Sequence, residues 1–248
     1  LFTVFVMEPT RIGFFTDVHA NLPALKATLK AIQPFNCDEI FVGGDIVGIG
    51  PFPAECVDLI RNQNNVRVIK GNHEIMACTD RENLKLLCSS QEEIAHTLWY
   101  REQLKSEHLQ FLDDLPLTMK TRWQDVLVEF MHYPPLLHPK GIYPFRKIAK
   151  NVNILPQYVE QSNADLICLG HDHRPISLRG PPKIYNPGSL GCSKSPKARF
   201  GVIEFSHSNF NLESHSVSYE DDSLKNAFQE REIPAKKFIL NHFFGNRL

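Results

Sequence analysis

Five short apolar segments in this chain are each followed within three residues by Asp, Asn or His, and this pattern limits the possible folds more than any other feature. Each segment has the length and the boundaries of a buried β-strand. In open α/β sheets, functional sites form in the crevice beyond the carboxyl ends of the strands. We therefore expect the five strand ends to converge on one polar pocket. The strand segments and the polar segments after them are 12–16 with 17–19, 40–42 with 43–45, 66–70 with 71–74, 126–131 with 132, and 166–169 with 170–173.

The residue types in this pocket are those of a metal site. Carboxylates and imidazoles suit Mn, Fe, Zn or Co, whereas the lack of a thiolate cluster argues against an iron–sulfur cluster or a structural zinc finger. Seven ligands, with one carboxylate bridging, fill two open coordination spheres, in which two ions about 3.5–4 Å apart can hold a bridging hydroxide and clamp a phosphate. The net positive charge of such a centre indicates an anionic substrate. The candidate ligands are Asp17, His19, Asp45, Asn72, His132, His171 and His173.

Each fragment of the pattern also has an ordinary structural explanation. Asp17 and His19 could form a surface pair, the segment 43–45 is typical of a turn, and His132 could be a packing residue. The His-x-His fragment at 171–173 is the most metal-like single piece. The metal interpretation therefore depends on the order of the fragments and on the position of each at a strand end.

Two further strings accompany the ligand motifs, namely Asp17-Val-His-Ala-Asn-Leu-Pro-Ala-Leu and the later Asn186-Pro-Gly-Ser. With them, the motif set resembles the calcineurin-like metallophosphoesterase superfamily, and within it the compact prokaryotic phosphodiesterase branch, often described as diadenosine-tetraphosphatase-like. The resemblance covers roughly residues 11–205. It implies an α/β fold, a four-layer αββα sandwich of two mixed sheets flanked by helices.

The resemblance also implies how the seven ligands divide between two metal ions, with Asp45 bridging both. His73 would be catalytic rather than a ligand, facing the phosphate to stabilise or protonate the leaving oxygen. The first ion would be held by Asp17, His19, Asp45 and His173, and the second by Asp45, Asn72, His132 and His171.

The chain departs from the family pattern at three places. Tyr133 stands where the family has a small residue, and its ring could narrow the pocket, stack on a base or simply pack. Asp172 replaces a usual Thr and could bind a metal, orient a histidine or face solvent. Lys194 and Arg199 follow the Asn-Pro-Gly-Ser loop and could contact substrate phosphate, or could belong to a solvated basic loop.

The remaining sequence predicts one domain at 11–248 behind an N-terminal extension at 1–10. Helices are expected to begin at Leu22 and at Pro53, and a helical insert without strands is expected near 81–115. Further predictions are a helix at 155–161 and strands at 183–185, 201–205 and 210–217. A helical tail at 224–244 is expected to pack on the body through Phe238, Ile239, Phe243 and Phe244.

Composition limits the function. Lys plus Arg is 27 against 28 for Asp plus Glu, and a net charge of −1 disfavours bulk binding of long nucleic acid. No run reaches the roughly 18 apolar residues that a membrane helix needs. Six scattered cysteines are typical of reduced thiols, which favours the cytoplasm. We expect a phosphoesterase with a small phosphorylated substrate. The alternatives are a non-enzymatic scaffold of the same fold and a nuclease. The oligomeric state stays open.

Overall fold

The computed structural model describes residues 10–134 and 161–248, and its strands form two five-stranded mixed sheets with flanking helices, as the sequence predicted. The strands are β1 (Thr10–Phe15), β2 (Glu39–Val42), β3 (Val66–Val68), β4 (Thr118–Trp123), β5 (Val126–Met131), β6 (Leu166–Leu169), β7 (Ile176–Leu178), β8 (Lys183–Asn186), β9 (Lys197–Ser206) and β10 (Asn209–Ser218). The α-helices are α1 (Leu22–Ile32), α2 (Pro53–Arg61), α3 (Asn72–Cys78), α4 (Leu84–Leu87), α5 (Gln91–Glu102), α6 (Ser106–Asp114), α7 (Asp222–Glu230) and α8 (Lys236–Phe244).

The sheet topology places the ends of five strands at one edge of the molecule. The first sheet has the order β10-β9-β1-β2-β3, in which β1, β2 and β3 are parallel and β9 and β10 are antiparallel to their neighbours. The second has the order β4-β5-β6-β8-β7, with β5, β6 and β8 parallel and the two edge strands antiparallel. Because parallel strands end at the same edge, the polar segments after β1, β2, β3, β5 and β6 are brought together.

The two sheets pack face to face because alternate residues of β1 point in opposite directions. Phe14 lies in the core between the sheets, with Phe41 and Phe130, whose rings stack with centroids 4.1 Å apart. Phe15 points the other way, into the core that the first sheet shares with α1 and α2. The outer face of the second sheet carries its own buried cluster, which includes Ile167.

Several elements differ from the sequence predictions. The sequence did not predict the edge strands β4 and β7. Polar residues interrupt the apolar pattern of β4, and β7 is only three residues long. Phe238 does not pack on the body as predicted, since its side chain is 57% exposed, whereas Ile239 and Phe244 are buried. The predicted extension at 1–10, apart from Thr10 in β1, and the predicted helix at 155–161, apart from its last residue, lie outside the described residues. Within 10–134 and 161–248, no helix has the length and apolar content to cross a bilayer.

Candidate metal centre

The loops that follow the strands hold the predicted ligands in an uncommon backbone conformation. Asp17, His19, Asp45 and His171 have φ values of 55°, 48°, 55° and 66°. Positive φ is rare for residues with a side chain and costs of order 1–3 kcal/mol, so it persists where the surrounding structure enforces it. Here backbone hydrogen bonds join the loops, from Asp17 N to Gly44 O at 3.0 Å and from His19 N to Asp45 O at 2.8 Å.

The predicted ligands of the first metal ion lie together. His19 Nε2 and His173 Nε2 are 2.9 Å apart. Asp17 Oδ1 is 3.8 Å from His19 Nε2 and 3.6 Å from His173 Nε2. Asp45 Oδ2 lies 3.8 Å from His19 Nε2 on the other side. Two imidazole nitrogens and two carboxylates therefore face a common point.

The predicted ligands of the second ion lie beside them. Asp45 Oδ2 is 3.1 Å from His132 Nε2, and His171 Nδ1 is 2.8 Å from Asn72 Oδ1. Asp45, His132 and His171 offer ligand atoms that all lie within 4.8 Å of one another. Asp45 thus belongs to both groups, as expected of a bridging carboxylate.

The donor set fits metal ions. His132 Nδ1 lies 2.6 Å from the carbonyl oxygen of Gly43, to which it donates, so in the neutral ring the lone pair is on Nε2 and faces Asp45. A lone pair and a carboxylate oxygen at 3.1 Å repel unless a proton or a metal ion lies between them. Asp17 Oδ2 is also buried with no hydrogen-bond partner in the described part of the chain. Buried polar atoms of this kind are expected where an ion completes the site.

The protonation of the histidines supports the same conclusion. Burial lowers the pKa of His171 to about 3 and holds the pKa of His19 well below its usual range, so both are neutral and able to bind a metal at pH 7. Burial also opposes charge on His132, but the negative charge of Asp45 outweighs it and raises the pKa of His132 to about 9. In the metal-free protein a proton on His132 therefore balances the charge of Asp45. A metal ion that binds would replace this proton.

His73 lies at the edge of both ligand groups. Its backbone N–H donates to Asp45 Oδ1 at 2.9 Å, and its carbonyl oxygen accepts from the Tyr100 hydroxyl at 3.1 Å. Its ring is edge-on to the ring of His19, with centroids 5.1 Å apart. A Cβ at Gly48, where φ is +80°, would lie 2.2 Å from His73 Nδ1, so the glycine leaves the space that the imidazole fills. By distance alone His73 also groups with His19 and Asp45 as a possible ligand.

Two residues of the site were not singled out from the sequence. Glu74 is fully buried, and its carboxylate accepts backbone N–H groups from both the 45–47 loop and Gly71. Glu74 follows His73 in the segment 71–74, but the sequence does not show that its side chain faces the backbone of the neighbouring loops. Cys192 Sγ lies within 4.8 Å of ring nitrogens of His19 and His173, and no spacing pattern links this cysteine to them.

The structure separates the predicted substrate-binding residues. Lys194 and Arg199 line a cleft of about 750 Å³ that we call the metal cleft, and five of the seven predicted ligands line it too, namely His19, Asp45, Asn72, His171 and His173. Tyr133 is 8% exposed and packs against the insert residues Leu84 and Leu87 rather than among the described lining residues of the cleft. Its ring lies edge-on to His171, with centroids 5.2 Å apart.

Asp172 makes an ion pair with Arg174 and belongs to none of the candidate ligand groups among the described residues. Its Oδ2 accepts from Arg174 Nη2 at 2.8 Å, and its Oδ1 accepts from Arg174 Nε at 3.0 Å. Its hydrogen bond with Arg174 lowers the pKa of Asp172. Of the three roles open to this carboxylate, the one beside solvent is therefore the one that the geometry supports.

Comparison with known proteins agrees with this centre. A family model described as calcineurin-like phosphoesterase matches residues 10–175. The chain is 33% identical over 260 residues to an uncharacterised protein of Methanocaldococcus jannaschii, covering 98% of each. It is 25% identical over 201 residues to the phosphodiesterase YfcE of Escherichia coli, covering 78% of this chain and 87% of the other. A metallophosphoesterase crystal structure from Sphaerobacter thermophilus matches with a TM-score of 0.68 and 26% identity, covering 94% of this chain and 98% of the other. This chain belongs to the calcineurin-like phosphoesterase family.

Proposed function

We propose that the protein is a dinuclear metal-dependent phosphoesterase that hydrolyses a small phosphodiester, phosphomonoester or nucleotide. The observation that carries the proposal is the position of Asp45, whose Oδ2 faces His19 at 3.8 Å on one side and His132 at 3.1 Å on the other. The ions would be drawn from Mn, Fe, Zn and Co, because imidazole and carboxylate ligands suit them. When bound, such ions stabilise the charge that develops on a phosphate and lower the pKa of water.

The protein's own residues supply orientation and proton transfer. Lys194 and Arg199 give the metal cleft positive charge that would hold an anionic substrate. His73 lines the same cleft, and its imidazole would stabilise the departing oxygen or give it a proton. Asn72 and His171 orient each other across 2.8 Å, which fixes both side chains at the edge of the centre.

The alternatives make different demands on the sequence. A scaffold that had kept only the fold would be free to lose ligands, whereas all seven predicted ligand types are present here. A nuclease for long DNA needs an extended basic surface, which a net charge of −1 disfavours. A small phosphorylated substrate and a cytoplasmic location are therefore the partner and place that we propose.

The test is a reconstitution of metal-free protein, followed by assays on phosphomonoesters, phosphodiesters and dinucleoside polyphosphates. We expect activity with Mn²⁺ or another borderline metal and little with Ca²⁺, because imidazole-rich sites disfavour an ion that prefers oxygen. Activity should disappear after long incubation with chelator. Full activity in excess chelator would contradict a metal-dependent reaction. A fold that binds metals but hydrolyses nothing in the panel would favour the scaffold.

A further inference from the structure

Helix α8 closes one side of the metal cleft with aromatic rings. Phe243 lies against the metal ligand His173, with ring centroids 5.5 Å apart. Phe238 and His242 are stacked with centroids 5.2 Å apart and planes 9° from parallel, and Phe243 stands at 82° to both. The helix is held in place from behind, because Ile239 and Phe244 are buried in a cluster with residues of α7.

These rings also line a second cavity of about 490 Å³, which we call the aromatic cavity. It shares Ile49, His73, His242 and Phe243 with the metal cleft, so the two form arms that meet at His73. The volume is within the range of about 300–1,000 Å³ that is typical of small-molecule sites. A group bonded to a phosphate at the metal centre could thus enter the aromatic cavity past His73.

The two arms differ in charge. The metal cleft carries Lys194 and Arg199 beside the Arg174–Asp172 ion pair, whereas the aromatic cavity carries Glu92 and Glu93 at the start of α5. The acidic arm disfavours a second phosphate. The hydroxyl of Ser89 donates to Glu93 Oε2 at 2.8 Å, and the carboxylate of Glu92 suits a neutral group with hydroxyl and amino hydrogens, while the exposed ring of Phe238 suits a flat heteroaromatic group.

We propose that the aromatic cavity binds a nucleoside, the leaving group of a phosphodiester, whose base stacks on Phe238 and meets Phe243 edge to face. This inference rests on the proposed phosphoesterase function for its chemistry. The bond between phosphorus and the nucleoside oxygen breaks, and an oxygen from water bonds to phosphorus. One proton of that water stays on the product phosphate or passes to solvent, and the other replaces on His73 the proton that this histidine gives to the departing oxygen. The retained phosphate stays in the cationic arm.

Adenosine is the probe for the cavity, because it carries the base and hydroxyls without a phosphate. We expect metal-free protein to bind adenosine, and Phe238→Ala to weaken that binding about ten-fold, since stacking on one aromatic ring is worth roughly 1–3 kcal/mol. Phe238→Trp should restore it. Phe238 is 57% exposed, so its replacement leaves the core intact, and Leu178→Ala, at a residue that is 51% exposed on β7, is the matched control.

The second measurement compares two diesters with similar alkoxide leaving groups, 5′-adenosyl methyl phosphate and methyl 2-methoxyethyl phosphate. With metals bound, Phe238→Ala should lower kcat/KM about ten-fold for the first and leave the second unchanged. Equal adenosine binding by wild type and Phe238→Ala, or no binding at all, would overturn the proposed subsite. Failure to hydrolyse either diester, with adenosine binding still sensitive to Phe238, would count against the phosphoesterase function and not against the subsite.

Discussion

Glu74 Oε2 accepts the backbone N–H of Asp45 at 2.7 Å, so the residue that we propose as the bridging ligand is held at its backbone by a second carboxylate. The same oxygen accepts from Gly71 N at 2.8 Å, and Oε1 accepts from Ile46 N at 2.8 Å and Val47 N at 3.2 Å. One buried side chain thus fastens the loop after β2 to the loop after β3. Both loops carry metal ligands, and their relative position depends on Glu74.

We expect Glu74→Gln to destabilise the protein and weaken metal binding. An amide in place of the carboxylate turns one acceptor into a donor, so at least one buried N–H loses its partner at a cost of about 1–3 kcal/mol. Loss of a group that orients metal ligands typically lowers metal affinity about 10- to 100-fold. Thermal melting and metal titration would measure the two effects. Glu82→Gln, at an exposed position in the insert, is the control, and equal metal affinity in the two variants would contradict the role of Glu74.

Asp45→Asn should remove more metal than any other ligand substitution. Its carboxylate is shared by the two ligand groups, so a neutral amide weakens both. Elemental analysis of reconstituted protein should give two metal ions per chain for the wild type, because seven ligand residues fill two open spheres, and fewer than one for the variant. Asp172→Asn should keep both ions, since Asp172 pairs with Arg174. One ion or none in the wild type would rule out the dinuclear site.

His73→Asn should keep both metal ions and the fold but slow hydrolysis. A nitrophenolate leaves without help, whereas an alkoxide needs a proton, and general acid catalysis is worth about 10²- to 10⁴-fold. The loss should therefore be far larger for an alkyl ester than for a nitrophenyl ester. Equal losses would mean that His73 stabilises charge or positions phosphate. Because His73 also lies near His19 and Asp45, metal content must be measured, and its loss would make His73 a ligand.

The clustering of the seven predicted ligands could be anticipated from the sequence because each lies within four residues after a strand, and parallel strands must end together. Asp17 and His171 are 154 positions apart, yet the His171 N–H donates to Asp17 Oδ1 at 3.1 Å. Tyr133, Phe238 and Glu74 could not be placed in this way. Whether an aromatic ring packs or faces a cavity, and which way a buried carboxylate turns, depends on elements distant in the chain. The fold type itself came from the family resemblance, since strand counting does not choose between sandwiches.

His96 should make the metal-free protein less stable in mild acid. Its side chain is 5% exposed, and its Nε2 accepts the backbone N–H of Ile49 at 2.9 Å, which requires a neutral ring. Burial lowers its pKa to about 3, while the unfolded chain has the ordinary value of about 6.5. Between these values the unfolded state binds a proton that the folded state does not, so stability present above pH 6.5 is lost as the pH falls. From pH 7.5 to 5 this loss is about 2 kcal/mol. His96→Gln keeps an acceptor and does not titrate, so urea unfolding in the presence of chelator should show a smaller drop between pH 7.5 and pH 5 than in the wild type. The metal ligands titrate alike in both proteins and cancel in this difference, and equal drops would show that His96 is not held neutral in the folded state.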